Sequence, residues 1–238
     1  MGTVNFELDL LVNDTKFLLS LGNSLAYSLI TVILQVILGL ISAWYFQYYS
    51  NYKAAPLIMI ILFMPYAVPS ALAILGWRFL LEENGIISQI FIQFGARGNF
   101  LLTDFAFYTL IIVSVWQFYP FAFLAFTAKL KELGKPLLYN SFLDSRNDYE
   151  RFSYFIYPQL KPIILSVVVL RLLFMMTKFD TPFLLFNTTT DVSINLLPLY
   201  IRENIFNDFM LYSAAVSTIA LIYLIYRILI KLFSKTEI

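Results

Sequence analysis

Apolar residues run through this chain in stretches too long for one face of a soluble helix, and charges gather in the gaps between them. A helix crossing the roughly 30 Å hydrocarbon layer needs about 20 mainly apolar residues, so windows poor in charge mark candidate spans. Five qualify, at about 19–49, 55–80, 105–128, 162–186 and 209–230. The first three hold no charge before their ends except Arg78, near the close of the second. The fourth contains Arg171, Lys178 and Asp180, and the fifth has Arg227 in its last turn. This predicts an all-α membrane protein of one domain over 1–238, with a polar loop at 129–161. Pro56, Pro65, Pro69, Pro120 and Pro182 each remove a backbone donor, so each predicts either a kink beside a pathway or an irregularity of packing.

Composition agrees with lipid as the solvent: 60% of residues are hydrophobic, 18% aromatic and only 13% charged. Sixteen basic residues against fifteen acids leave no electrostatic reason to expect nucleic acid. Without cysteine or histidine the chain lacks thiolate chemistry, the usual neutral-pH proton shuttle and the commonest metal ligand. Acids at Glu7, Asp9 and Asp14 argue against a cleaved leader in the first twenty residues.

Basic residues are retained on the cytoplasmic side of short loops. Placing Met1 outside puts ten inside (Lys53, Lys129, Lys131, Lys135, Arg146, Arg151, Lys161, Arg227, Lys231, Lys235) against four outside (Lys16, Arg78, Arg97, Arg202). The expected topology therefore has an external N-terminus and a cytoplasmic C-terminus.

Within the polar loop, Pro136 suits a first helical position, and Leu137, Leu138, Ser141 and Phe142 can share a face before Asp144, Ser145 and Arg146 interrupt it. Asn147 can cap a second short helix, with Glu150 reaching back, an apolar stripe of Phe152, Phe155 and Ile156, and Pro158 as its end. Two short helices with an exposed corner make a protrusion that can seat in a partner's groove.

The frame of that island resembles the cytoplasmic loop of the membrane permease subunits of bacterial ATP-binding-cassette importers, in particular the sugar-uptake group of maltose and glycerol-phosphate type. In the family's loop signature, Tyr139, Asn140 and Ser141 stand at the Glu-Ala-Ala positions, Asp144 keeps its place, and Ser145 and Arg146 replace Gly-Ala. Arg151, Phe152, Pro158, Leu160, Lys161 and Pro162 also keep their places. Other stretches that resemble the group are Asn23-Ser24-Leu25, Met64-Pro65, Pro69, Gly76-Trp77, Asn84-Gly85, Val115-Trp116, Tyr119-Pro120-Phe121 and Phe179-Asp180. The stretch Phe186-Asn187-Thr188-Thr189-Thr190 lacks the usual glycine-rich turn, so the chain is similar to a divergent, shortened member.

The resemblance implies a type I importer bundle in the bacterial inner membrane, of about five spans with a cytoplasmic coupling helix. It also implies a second permease subunit, two ABC ATPase subunits and an extracytoplasmic solute-binding protein. Residues 139–141, Asp144, Ser145, Arg151, Phe152 and Pro158 would form the ATPase-coupling loop. Tyr139 cannot supply the family's carboxylate, and Ser145 lacks glycine's freedom at a tight corner. Either a different permease in a heterodimer keeps the Glu and transmits most of the force, or other contacts replace it. The chain has no phosphate-binding Gly-rich loop ending in Gly-Lys-Ser/Thr, so ATP hydrolysis would belong to the partner and no cofactor is expected here.

Charges in the fourth span should face the bundle interior or a water-filled route. Arg171 and Lys178 are seven apart and share a helical face, while Asp180 would lie about 200° from Lys178 on a continuous helix. With Phe174 and Thr177 they can line a sugar path, the aromatic faces stacking on the sugar's apolar surfaces. Snorkelling to headgroups is the alternative for Lys178 and Asp180. An intramembrane enzyme using Asp104, Asp144 or Asp180 would want facing carboxylates within a span, and none is paired so. A stand-alone channel or carrier would favour an inverted repeat, and none is evident. Polyamine, phosphate and metal-chelate solutes stay open beside sugars.

Overall fold

The computed structural model describes residues 14–49, 52–98, 100–134, 141, 143–186, 194–203, 223 and 227. The expected fifth span apart from Tyr223 and Arg227, the loop at 187–190, and Pro136, Leu137, Leu138, Tyr139, Asn140 and Phe142 of the island's expected first helix lie outside the described residues. Helix α1 runs Thr15–Tyr49, α2 Ala55–Ala67, α3 Ser70–Leu81, α4 Ile86–Gln93 and α5 Ala106–Glu132. A short helix α6, Asp148–Glu150, leads through a π-helical turn, Arg151–Ile156, into α7, Tyr157–Met176. Two short helices follow, α8 over Asp180–Phe186 and α9 over Leu197–Glu203.

Three of these runs are long and apolar enough to cross a membrane: Thr15–Gln47, Ala106–Glu132 and the continuous run Asp148–Met176. The second expected span is not one helix. It breaks between α2 and α3, whose axes differ by 91° when α4 is included. The cause is local: a residue before proline is pushed out of the helical region, and Val68 (ψ 132°) and Pro69 (ψ 132°) are both extended. Pro120, by contrast, sits inside an unbroken α5. Inside α2, Pro65 offers no N–H to the carbonyl four residues back, and Tyr119 Oη donates to the neighbouring Leu62 carbonyl at 3.1 Å.

Pro158 does not end the island's helix, as its position had suggested. The π turn widens the backbone register just before it, the Tyr157 amide donates to the Phe152 carbonyl, and the proline falls in the first turn of α7, where its missing donor costs little. The expected fourth span accordingly starts well before Pro162, which lies within α7, and it stops at Met176, short of Phe186.

Helix α1 is the spine, lying chiefly on α5 and then on α7. Its polarity is inverted relative to a soluble helix: Ser20, Ser24, Ser28, Thr31 and Gln35 are buried, while Ile30, Ile33, Ile37 and Ile41 are exposed. Lipid rewards that arrangement, since polar side chains find partners only between helices. Close approach is enforced at Gly39, where an added Cβ would stand 2.6 Å from Ala122 Cβ and 2.8 Å from the Phe123 amide nitrogen. Below this contact, Phe46 and Phe123 meet edge to face at 5.7 Å.

Helix α9 is tied back to the start of α1. Ser24 Oγ accepts from the Leu197 amide at 2.6 Å, Asn23 Nδ2 donates to the Asn195 carbonyl at 3.3 Å, and Tyr200 Oη donates to Asp14 Oδ2 at 2.6 Å. Burial raises the Asp14 carboxyl, but bonds from Tyr200 and from the Lys16 and Phe17 amides outweigh it and hold the group below its ordinary value.

Two outcomes are expected. Replacing Gly39 by Val should force α1 from α5 and lower stability by about 1–3 kcal/mol in denaturant unfolding, whereas Gly22→Ala, with open space around it, should be near neutral. Because the Asp14 carboxyl titrates lower folded than unfolded, its contribution is full above about pH 4 and is lost as pH falls through the folded value. Amide exchange over Leu197–Glu203 should therefore accelerate below that pH, and Asp14→Asn should flatten the dependence.

Candidate functional site: a polar latch and an outward island

Arg171 is 4% exposed, yet it sits in the middle of apolar helices. Its Nε donates to Gln35 Oε1 on α1 at 2.9 Å, and no carboxylate pairs with it among the described residues. The charge is spread over rings instead: the guanidinium lies 4.8 Å from the Phe118 centroid, 5.7 Å from Phe121 and 6.0 Å from Phe174. Gln35 Nε2 in turn donates to the Ser114 carbonyl at 3.0 Å, and the Ser114 hydroxyl meets Tyr27 Oη at 2.7 Å. Helices α1, α5 and α7 thus share one connected set of bonds.

A second set joins the two helix breaks. Lys178 Nζ lies 2.8 Å from Asp180 Oδ1 and donates to Oδ2 at 3.0 Å; Ser70 Oγ, just after the Pro69 break, donates to Asp180 Oδ2 at 2.7 Å. The helical-wheel estimate that separated Lys178 from Asp180 fails because the chain leaves the helix at Thr177 (φ −97°, ψ 7°). Lys178 is not snorkelling; its ammonium pairs with Asp180 and lies 4.4 Å from the centroid of Phe118, a ring it shares with Arg171. Phe118 therefore contacts both cations. Phe174 and Thr177 lie on the exposed side of this cluster, and the Thr177 hydroxyl returns to the Leu173 carbonyl at 3.1 Å. Helix breaks pinned by a few polar bonds can hold discrete arrangements, the kind of feature found where a solute meets a membrane protein's midplane.

The island is the other candidate. Asn147 Oδ1 accepts from the Glu150 amide at 2.8 Å, as expected of a cap, but Glu150 reaches the Arg146 amide (3.0 Å), one residue further back than a capping box requires. Ser145 Oγ donates to the Ser141 carbonyl at 2.6 Å, fastening the corner with a side chain. Arg151 turns inward: its guanidinium lies 4.7 Å from the Trp44 centroid on α1 and its Nη1 is 3.7 Å from Asp148. Phe152 also faces Trp44, edge on at 5.5 Å. Outward side chains include Leu143, Asp144, Arg146, Tyr149 (78% exposed), Tyr154 (74% exposed) and Tyr157, with Pro158 exposed at the edge.

Sequence reasoning missed Trp44, Gln35, Ser70 and Phe118 as partners. Gln35 carried a usable signal, being an amide midway along a long uncharged stretch, well inside Asn23 and Gln47 near its ends. Nothing local marks Trp44 or Phe118 among 18% aromatics.

The family described as binding-protein-dependent transport system inner membrane component matches residues 35–236, and the chain belongs to it. This is therefore the inner membrane component of a transport system that works with a binding protein, and its role is that of a transport subunit. Among relatives, the inner membrane ABC transporter permease protein YcjO of Escherichia coli (strain K12) is 26% identical over 226 residues, covering 92% of this chain and 75% of the relative. The trehalose/maltose transport system permease protein MalF of Thermococcus litoralis is 27% identical over 165 residues, covering 68% and 55%. The sn-glycerol-3-phosphate transport system permease protein UgpA of Yersinia pestis is 27% identical over 173 residues, covering 72% and 57%. The fold is that of a bacterial ABC transporter involved in importing the acidic polysaccharide alginate (TM-score 0.79, 17% identity, 100% of this chain and 84% of that one).

Removing the acceptor from Arg171 should be costly. Gln35→Leu is expected to destabilise the chain by about 1.5–3 kcal/mol, the range for a lost bond to a charged group. Adding Arg171→Met should recover part of that loss, since the stranded charge is gone; a double-mutant cycle by denaturant unfolding measures it.

Proposed function

We propose that this chain is the permease subunit of a sugar importer, forming half of a translocation pathway beside a second, different permease. Two ABC ATPase subunits drive the cycle, and an extracytoplasmic binding protein delivers the solute. In this reading the N-terminus is outside, the C-terminus and the island are cytoplasmic, and the ATPase grips the island. The observation that carries it is the placement, within the family-matched stretch, of both the pinned helix breaks and an island whose outward face is aromatic. The sugar assignment draws support from the relatives named for trehalose, maltose and glycerol phosphate, and from the alginate importer of like fold.

Mechanically, Arg151 and Phe152 fasten the island to Trp44, so a push on the island reaches α1. Helix α1 holds Gln35, and Gln35 holds Arg171. Phe174, Thr177, Arg171, Lys178 and Asp180 then form the part of the path whose arrangement differs between inward and outward states. Solute and nucleotide act only through their differential affinity for those states.

The test is co-purification with a cassette ATPase encoded nearby, followed by transport and hydrolysis assays in proteoliposomes. Tyr149→Ala and Asp144→Arg should weaken ATPase docking by about 2 kcal/mol, roughly 30-fold, typical of an exposed interface anchor. Solute-stimulated hydrolysis should fall while insertion stays normal; unchanged hydrolysis in both variants rejects the docking role.

A further inference from the structure

At the end of the bundle where α1 closes, α2 opens and α5 closes lies a cleft of about 420 Å³, remote in sequence from the Arg171 and Lys178 latch. Lys53 and Lys131 border it, and Phe46, Ala55, Pro56 and Met59 supply apolar walls. The Lys131 ammonium stands 5.9 Å from the Phe46 centroid, so its stem lies along the aromatic wall while its charge stays at the mouth. Among the described residues neither lysine has an ion-pair partner, although Lys129, two residues from Lys131, is paired with Glu132 at 3.0 Å. Both lysines are exposed, so each ammonium is accessible to an anion that enters the cleft.

We propose that this cleft binds an anionic phospholipid, with the headgroup phosphodiester between Lys53 and Lys131 and the glycerol and upper acyl chain against Phe46, Pro56 and Met59. Three observations favour a lipid over a soluble anion. The cleft lies at the ends of three apolar helices, between basic residues, the kind of place where interhelical headgroup sites occur. Its walls are mostly apolar, which a free phosphate would gain nothing from burying against. Helices α1 and α2, which wall the cleft, also present exposed apolar side chains, Leu38 and Ile41 on α1 and Leu57, Ile60, Ile61 and Met64 on α2, apolar area of the kind an acyl chain covers. The site needs no nucleotide, binding protein or transported solute, so it stands independently of the functional reading above.

The experiment uses the full chain in nanodiscs of equal phosphatidylglycerol and phosphatidylcholine, followed by native mass spectrometry of the lipids retained in mild detergent. Phosphatidylglycerol should be retained preferentially. With each lysine near an anionic surface contributing about fivefold, the Lys53→Gln, Lys131→Gln double variant should lose about 25-fold of the preference. Lys53→Arg with Lys131→Arg should keep it, which separates charge from folding. An unchanged preference in the Gln pair, its loss in the Arg pair, or displacement of the retained lipid by millimolar inorganic phosphate would each overturn the proposal.

Discussion

The Arg171 guanidinium carries a full charge inside an apolar bundle, and the polar interior is arranged around that fact. A cation in low dielectric cannot be left bare, and here it has an amide oxygen and a set of ring faces in place of a carboxylate. Gln35 can meet it only because α1 turns its polar side chains inward, and α1 can do so only because its outer side is isoleucine and leucine facing an apolar solvent. The inverted amphipathicity of α1, its close contact with α5 at Gly39 and Ala122, and the position of α7 follow from the same requirement.

The two helix breaks show how a membrane bundle accommodates irregular backbone. At Val68 and Pro69 the proline imposes an extended pair and the chain turns sharply. Beyond Met176 the second break has no proline at its start, and it is held by Lys178, Asp180 and Ser70, drawn from both interrupted segments. Exposed irregular backbone is not tolerated in hydrocarbon, so breaks gather where they can satisfy one another. That gathering puts a cation, a carboxylate and aromatic faces together between the two interrupted segments.

The island combines an inner and an outer contact. Its inner side is fixed by Arg151 and Phe152 against Trp44, so the protrusion is continuous with α7 and attached to α1 rather than hanging from a loose loop. Its outer side offers tyrosines and Asp144. Among the described residues the island thus has an internal anchor, a side-chain bond at its corner where Ser145 meets Ser141, and exposed tyrosines.

Much of this was legible from residue order alone, because lipid makes span length and charge position nearly obligatory. The long apolar helices at the first and third expected positions, the capping role of Asn147 and the inward placement of Arg171 all follow from hydropathy and turn chemistry. What order could not decide was which helical stretches stay helical. Pro65, Pro120 and Pro158 are absorbed while Pro69 breaks its span; a π turn precedes Pro158 and Tyr119 reaches the Leu62 carbonyl beside Pro65, and neither is visible locally. Nor could it pair Lys178 with Asp180 or Arg171 with Gln35, 136 positions apart. The first pair is set by the helix end at Thr177 and the second by the packing of α1 against α7, and a side chain's partner in a membrane depends on the helix that faces it.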